Sequence, residues 1–217
     1  MRGLHRRRTP AARRGVADTK PAVLRDAGLI VVCVLIMMLF IKTFIGQLYV
    51  VPSGSMENTL KIGDTLVVSR LAAEFSTPHR GEIIVFRDPG GWSSPQERQE
   101  SGIRQAVTSA LIFLGLLPNQ STSDLVKRVI GLPGDIVECD ARGRFTVNGK
   151  TVAEPYLYPG NQPCYFPFEV KVPPGSLWVE GDHRAISADS RYHRNINDGA
   201  VPISDVIGEV VGVLPSG

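Results

Sequence analysis

The sequence predicts a mostly β, antiparallel domain that follows one N-terminal transmembrane helix. Residues 27–45 are almost entirely apolar. From about residue 48 onward, short runs of β-branched and apolar residues alternate with glycine and proline, a pattern typical of many short strands. Asn148-Gly149 separates two of these runs and is the strongest short-range signal for a β-hairpin.

Residues 1–26 are expected to form a cytoplasmic basic tail. They hold eight lysines and arginines against two aspartates, with no hydrophobic period, so we expect them to be disordered. The whole chain carries a net charge of only +3, and the basic excess is therefore a property of the tail. Positive charge beside a membrane explains it more simply than a nucleic-acid partner, and no nucleic-acid binding is predicted.

Residues 27–45 are predicted to be a transmembrane anchor. A helix of this length spans roughly 28 Å, close to the thickness of the hydrocarbon layer, and Lys42 near its end can extend to the interface. Residues 44–49 do not resemble a small-residue cleavage site, which favours an uncleaved anchor over a secretory signal. Because the arginines precede the anchor, residues 46–217 are expected on the extracytoplasmic side.

Residues 46–217 are predicted to be the β domain, interrupted by an insertion at about 89–123. The predicted strands are residues 65–68, 82–86, 125–132, 135–138, 145–147, 150–152, 168–172, 177–180 and 206–214. Within the insertion, residues 97–117 are predicted to be helical and end in an apolar run that is too short to cross a bilayer. That run would be a core helix or lie on the membrane surface, and the sequence leaves both open.

Cysteine and histidine spacing indicates no metal site. Cys33 falls in the apolar segment, where it would act as a small hydrophobic residue. An extracytoplasmic location would allow a disulfide between Cys139 and Cys164, but spacing does not fix the required geometry, so a bridge and two free thiols both remain open. Metal-ligand spacing, a phosphate loop and a dinucleotide fingerprint are all absent from the sequence, and no cofactor is expected.

Two serines lie just beyond the anchor, at Ser53 and Ser55. A serine needs a neighbouring base before it can act as a nucleophile, and no histidine follows within the next twenty residues. Lys127 lies in a predicted strand whose alternation puts it on one face with Leu125 and Val129. A desolvated lysine has a lowered pKa and can act as a base, although a lysine at a strand edge would show the same pattern.

A third polar segment, residues 181–191, follows the predicted strand 177–180. Its aspartates and arginines suit a structural turn held by ion pairs. His183, with Asp182 or Asp189, is the alternative base for Ser55 in a His-type arrangement.

Three segments together resemble the type I signal peptidase family, membrane-bound serine proteases with a Ser/Lys dyad. They are residues 49–60, 127–135 and 181–191, with Gly63-Asp64 also at the position where the family has this pair. Each motif alone is moderately specific, but all three in this order behind an N-terminal anchor are highly specific. The resemblance covers roughly residues 47–214.

The resemblance implies a role for each residue of the dyad. Ser55 would be the nucleophile, and Lys127 would be the general base and later the acid that protonates the leaving amine. Ser53 would help the backbone amide of Ser55 to hold the oxyanion. Ser187 would bond to the amine of Lys127 and orient it.

The resemblance also implies the fold, the supporting residues and the substrate. The fold would be an antiparallel two-sheet β domain at the outer membrane surface, in contact with lipid. Asp189 and Arg191 would support the turn after the strand, while Tyr49, Val51 and Met56 would line shallow pockets for small residues such as alanine. The substrates would be exported preproteins, cleaved by this endopeptidase at the end of their signal peptides.

Four residues at three sites depart from the family pattern. His183 stands where the family commonly has asparagine, Ile186 where it often has a polar residue, and Glu57-Asn58 where an apolar residue and proline are usual.

Two other functions remain open. The first alternative is a Ser/Lys protease dedicated to one substrate, such as a pilin or a transfer protein. The second is an inactive scaffold that binds signal peptides.

Overall fold

The computed structural model describes residues 20–44, 47–70, 77–92 and 124–216. Most of the predicted basic tail and the helix predicted at 97–117 lie outside these residues. In the first range, side chains are described from Arg25 to Met37. The chain divides into two compact units, one ending at Met37 and one beginning at Met38.

The first described element is the helix α1 (Lys20–Phe44). It contains nearly all of the predicted segment 27–45 and begins seven residues before it, with Pro21 in its first turn, where proline is well tolerated. Within the described residues, no helix combines the length and the hydropathy needed to cross a membrane.

The described part of the second unit is built from short β-strands. They are β1 (Gln47–Val50), β2 (Thr65–Ser69), β3 (Ile83–Arg87), β4 (Asp124–Gly131), β5 (Ile136–Cys139), β6 (Phe145–Val147), β7 (Lys150–Thr151), β8 (Phe168–Lys171), β9 (Ser176–Glu180), β10 (Val201–Pro202) and β11 (Val206–Leu214). The first sheet has seven strands in the order β1-β2-β11-β3-β4-β9-β10, and the second has four in the order β7-β6-β5-β8. Neighbouring strands run antiparallel in both sheets. The prediction of a mostly β, antiparallel fold is therefore confirmed.

The predicted strands correspond to observed strands within one or two residues at each end. The β6–β7 hairpin turns at Asn148 and Gly149, which have φ angles of 53° and 73°, as a two-residue turn with two positive φ angles requires. The Asn148 side chain accepts from the Ile136 amide at 2.9 Å. This bond ties the hairpin to the strand beside it. The strand β10, only two residues long and containing a proline, was not predicted.

The hydrophobic core is divided among three clusters of buried side chains. One cluster lies at the four-stranded sheet and includes Phe145, Phe168 and Trp178. A second joins β1, β2, β3 and β4 to the turn that follows β1. The third is formed by β3, β4, β9 and β10 with Trp92, and it includes Val129 with Leu125 packed against it, as the predicted alternation along β4 requires. The strand β4 thus contributes to all three clusters, which makes it the central support of the domain.

A disulfide joins Cys139 in β5 to Cys164, which lies 25 positions further along the chain. Both cysteines are buried in the cluster at the four-stranded sheet. The open question from the sequence is therefore answered in favour of the bridge. It links the end of β5 to the long segment between β7 and β8.

Replacing Cys139 and Cys164 by alanine should lower the free energy of unfolding by about 3 kcal/mol, because a crosslink over a loop of this length restricts the unfolded chain. Thermal unfolding with and without dithiothreitol measures the effect. The reductant should lower the midpoint of the wild type and leave that of the double variant unchanged. Equal responses of the two proteins would contradict the prediction.

Candidate active site

The nucleophile predicted by the sequence lies in a short 3-10 helix, Gly54–Met56, directly after β1. Ser53 precedes this helix in an extended conformation, and the Glu57 amide closes the turn by donating to the Gly54 carbonyl at 3.0 Å. The Met56 side chain is 1% exposed and packs in the second core cluster. Burial of this methionine therefore fixes the turn and holds Ser55 at 8% exposure.

Lys127 projects from the middle of β4 and reaches the same point. Its Nζ donates to Ser55 Oγ at 2.7 Å and to the Val126 carbonyl at 3.0 Å. The lysine is only 3% exposed. Two residues that are 72 positions apart in the chain thus form the hydrogen-bonded pair of a nucleophile and a base.

Burial lowers the pKa of Lys127 from 10.5 to about 8. The low-dielectric surroundings disfavour the charged ammonium. The carboxylates of Asp189 and Asp182 act in the opposite direction, and the Arg191 guanidinium lowers the pKa further. A substantial fraction of the amine is therefore neutral near pH 8, and a neutral amine can accept a proton.

Gly181, directly after β9, forms the close contact between the nucleophile turn and the loop that follows. A Cβ atom at this position would lie 2.3 Å from Ser187 Oγ and 2.4 Å from the Ser55 carbonyl oxygen. Only glycine allows this approach. The structure therefore brings Ser187 close to the nucleophile turn.

The two supporting serines are placed differently with respect to the dyad. Ser53 Oγ donates to Ser55 Oγ at 3.3 Å, so this side chain lies next to the nucleophile. Ser187 is 2% exposed. Its hydroxyl helps to lower the pKa of Asp189, yet within the described residues Ser187 Oγ makes no hydrogen bond of normal geometry. The expected bond from Ser187 to Lys127 is not formed in this structure.

Asp189 and Arg191, in the loop that follows β9, form a buried ion pair. Asp189 accepts from Arg191 Nε and Nη2, both at 2.8 Å, and from the Gly181 amide at 3.0 Å. Burial alone would raise the pKa of Asp189, but the bonds from Arg191 and Gly181 outweigh it and keep the pKa below its usual value. Because the aspartate holds the amide of Gly181, the pair fixes the backbone that touches Ser55.

A second buried ion pair, between Arg128 and Asp182, was missed by the sequence analysis. Arg128 Nε and Nη2 donate to the two carboxylate oxygens of Asp182 at 2.8 and 2.6 Å. The Thr59 hydroxyl donates to the same carboxylate, and the guanidinium stacks on Tyr156 at 4.1 Å. The sequence does hold a signal for this ion pair. Arg128 follows Lys127 in an interior strand with both faces buried, so the arginine needs a buried acidic partner.

A third group of buried charges lies at the end of β9 around Glu180. Trp178 Nε1 donates to Glu180 Oε1 at 2.8 Å, and Arg184 Nη1 lies 2.8 Å from Glu180 Oε2. Arg184 also pairs with Glu154. Burial raises the pKa of Glu180 to about 7, although both Arg184 and Arg191 act to lower it. The sequence identified this polar segment but gave no means of pairing its charges.

The three residues predicted to line substrate pockets lie beside the nucleophile turn but are buried. Tyr49, Val51 and Met56 are 5%, 2% and 1% exposed, and all three belong to the second core cluster. In this structure they form the packing beneath Ser55. Their contact with substrate stays a prediction.

His183, the alternative base, lies beside the turn in another role. Its ring stacks on Tyr158 with a centroid distance of 3.9 Å, and its Nδ1 lies 3.7 Å from a Glu57 carboxylate oxygen. Within the described residues its ring makes no hydrogen bond to Ser55, whose Oγ is bonded to Lys127 instead. No group of three or more potential metal ligands occurs in the same part of the chain.

Comparison with known proteins gives the family. The family model described as "Signal peptidase, peptidase S26" matches residues 24–214. A probable signal peptidase I of Mycobacterium leprae is 36% identical in an alignment that covers 90% of this chain and 78% of that protein. Signal peptidase I of Mycobacterium tuberculosis is 37% identical in an alignment that covers 88% of this chain and 72% of that protein.

Among solved structures, the crystal structure of a signal peptidase I from Enterococcus faecalis covers 63% of this chain and 98% of that chain, at 26% identity and a TM-score of 0.40. The family model spans the segments that hold Ser55, Lys127 and Ser187, and the two relatives each match most of the chain. The family match leaves out most of the basic tail. The chain therefore belongs to the signal peptidase family, peptidase S26.

Proposed function

We propose that this chain is a signal peptidase I that cleaves signal peptides from exported preproteins, with Ser55 as nucleophile and Lys127 as general base. The observation that carries the proposal is the bond of 2.7 Å from Lys127 Nζ to Ser55 Oγ. It joins a buried lysine whose pKa is lowered to about 8 to a serine held by a packed turn. Family membership supplies the reaction class, since signal peptides are the substrates of signal peptidases.

The proposed reaction proceeds in two steps. The neutral amine of Lys127 takes the proton of Ser55 Oγ while this oxygen attacks the scissile carbonyl, and the resulting ammonium then gives the proton to the leaving amine. A water molecule, activated by the same amine, hydrolyses the acyl-enzyme and releases the signal peptide. The Ser55 amide and the Ser53 hydroxyl would hold the oxyanion, a contribution typically worth a few kcal/mol.

The edge of β4 suits an extended substrate. The strand β9 pairs with β4 only from Arg128 onward, whereas β3 pairs with it from Asp124 to Arg128. Within the described residues, positions 125–127 therefore have a partner strand on one side. We propose that the end of the signal peptide adds here as a strand, which would bring its last carbonyl towards Ser55.

The membrane arrangement is also part of the proposal. Residues 27–45 would be a single-pass anchor, residues 1–26 the cytoplasmic tail, and residues 46–217 the extracytoplasmic catalytic domain with its insertion at about 89–123. Apolar side chains are exposed on every side of the described helix, at positions 29–32 and 34–37, as expected of a helix that lies in lipid. The basic residues that precede it favour a cytoplasmic N-terminus.

The experiment that tests the function is cleavage of a signal-bearing preprotein by the intact chain in lipid vesicles. Mass spectrometry of the product should show a new N-terminus after a small residue. Cleavage of many preproteins from a cell extract would exclude a protease dedicated to one substrate. Binding of signal peptides without any cleavage would instead support the inactive scaffold.

The rate of this cleavage should rise with pH around a midpoint of about 8, the pKa of Lys127. Below this pH the amine is protonated and cannot take the proton of Ser55. Initial rates at low substrate concentration, measured from pH 5 to pH 10, report this ionisation. A maximum near pH 5 would contradict a lysine base.

A further inference from the structure

Two of the positions that depart from the family pattern meet beside the nucleophile. Glu57 directly follows the 3-10 helix of Ser55, and His183 lies in the loop after β9. His183 Nδ1 is 3.7 Å from Glu57 Oε2. The His183 side chain is 15% exposed and the Glu57 side chain 33%, so the histidine is largely buried and the glutamate partly exposed.

Both residues also contact the backbone of the nucleophile turn. The His183 amide donates to the Ser55 carbonyl at 3.1 Å, and the Glu57 amide donates to the Gly54 carbonyl at 3.0 Å. The Glu57 carboxyl group lies over Gly54, where a Cβ atom would be 3.1 to 3.3 Å from its atoms. Both members of the pair therefore lie against the backbone that carries Ser55.

A third residue fixes the orientation of the histidine. The Tyr158 ring stacks on His183 with an angle of 8° between the planes. The Tyr158 amide donates to the Asp182 carbonyl at 3.0 Å, which ties the tyrosine to the same loop. His183 Nδ1 is buried and makes no hydrogen bond within the described residues, so Glu57 is its nearest acidic partner there.

The chemistry of this contact favours a proton on Nδ1. A bare nitrogen lone pair would be repelled by the carboxylate, whereas an N–H group is attracted to it. At 3.7 Å the contact is about 1 Å longer than a charge-assisted hydrogen bond. Contacts of this kind are often long in a free enzyme and shorten only in the substrate or transition-state complex.

We propose that Glu57 and His183 are positioning residues whose contact closes into a hydrogen bond as the transition state forms and holds the turn of Ser55 in place for attack. This inference rests on the proposed function, because the positioned atom is the proposed nucleophile. Because this bond would be made only in the transition state, its loss should lower kcat and kcat/KM equally and leave KM nearly unchanged. The pH midpoint should also stay where Lys127 sets it.

Two substitutions of His183 separate its ring from its polar group. His183→Phe keeps an aromatic ring against Tyr158 and removes the donor, and kcat should fall about tenfold, the effect of losing a hydrogen bond to a charged group. His183→Asn keeps a donor near the position of Nδ1 and removes the ring. Its kcat should stay within about threefold of wild type, with no shift of the pH midpoint in either variant.

A double-mutant cycle tests whether the two residues act through each other. Glu57→Gln should lower kcat about fivefold and have no further effect in the His183→Phe background, because the contact is already lost there. The matched control is His79 with Glu82, an exposed pair with 2.9 Å between Nδ1 and Oε1. His79→Phe and Glu82→Gln should leave kcat unchanged.

Three outcomes would overturn the inference: a wild-type kcat for His183→Phe, multiplicative effects of Glu57→Gln and His183→Phe, or a change in KM alone. Thermal unfolding of each variant is measured beside the kinetics, and a loss of kcat that follows loss of folded protein also counts against positioning. Ser55→Ala serves as the reference for the proposed function. If that variant still cleaves, the nucleophile is wrong, whatever the cycle gives.

Discussion

Replacing Lys127 by methionine should abolish cleavage and still leave the protein more stable than wild type at pH 7. Activity should fall by about 10⁴-fold or more, as it does when one member of a nucleophile–base pair is removed. A pKa lowered from 10.5 to about 8 means that folding forces the amine into surroundings that disfavour its charge. That cost is on the order of 3 kcal/mol.

Methionine has a similar length and carries no charge, so it avoids this cost. It also loses the bonds that Nζ donates to Ser55 and Val126, which offsets about 1 kcal/mol of the gain. We therefore expect a net gain of about 2 kcal/mol in the free energy of unfolding. Chemical denaturation at pH 7 gives the stability, and cleavage of a preprotein gives the activity.

The stability difference between this variant and wild type should depend on pH in a defined direction. Between about pH 8 and pH 10.5 the unfolded lysine binds more protons than the folded one, so the wild type gains stability as the pH rises. The advantage of Lys127→Met is therefore complete below pH 8 and disappears above pH 10.5. Lys171→Met, at an exposed position of β8, is the control and should change neither activity nor stability.

Two results for Lys127→Met would contradict the expectation: retained cleavage and lowered stability. Cleavage by the variant would mean that the base lies elsewhere, with His183 as the next residue to replace. A loss of stability at pH 7 would mean that the ammonium of Lys127 is well accommodated by its surroundings. Ser55→Ala is the inactive reference, because it removes the nucleophile and keeps the lysine.

Much of the fold could be predicted because its signals are local. Alternating apolar residues between glycine and proline breaks were sufficient for most strands, and Asn148-Gly149 defined the hairpin. The strand β10 (Val201–Pro202) could not be found, since two residues and a proline give no periodicity. The pairing of β11 between β2 and β3 could not be predicted either, because such long-range order has no local signal.

The resemblance identified the residues of the site, and the structure added their physical environment. The family and its activity, the cleavage of signal peptides by an endopeptidase, are confirmed. The membrane topology, the domain boundaries and the roles of Ser55, Lys127, Ser53 and Ser187 stay predictions. The buried pair of Arg128 and Asp182 was missed because a charged residue in a strand is usually assigned to the solvent side.

Replacing Gly181 by alanine should lower kcat by about 100-fold or more through displacement of the nucleophile. The added methyl group would lie 2.3 Å from Ser187 Oγ and 2.4 Å from the Ser55 carbonyl oxygen, and van der Waals contact needs more than 3 Å. Gly181 follows β9, whose five residues are all buried, so Gly181 itself has no room to move away. The backbone of Ser55 must therefore shift. A shift of about 1 Å at a reacting atom can cost this much in rate, and overpacking should also cost about 1–3 kcal/mol of stability.

The matched control for this change is Gly212→Ala in β11. There a Cβ atom would meet only Val67, at 3.7 Å, so both activity and stability should remain near wild type. Cleavage rates and thermal unfolding of the two variants can be compared under one set of conditions. A Gly181→Ala variant that is as active as wild type would show that the turn of Ser55 can retreat without loss of geometry. The close packing of Gly181 would then have no part in holding the nucleophile.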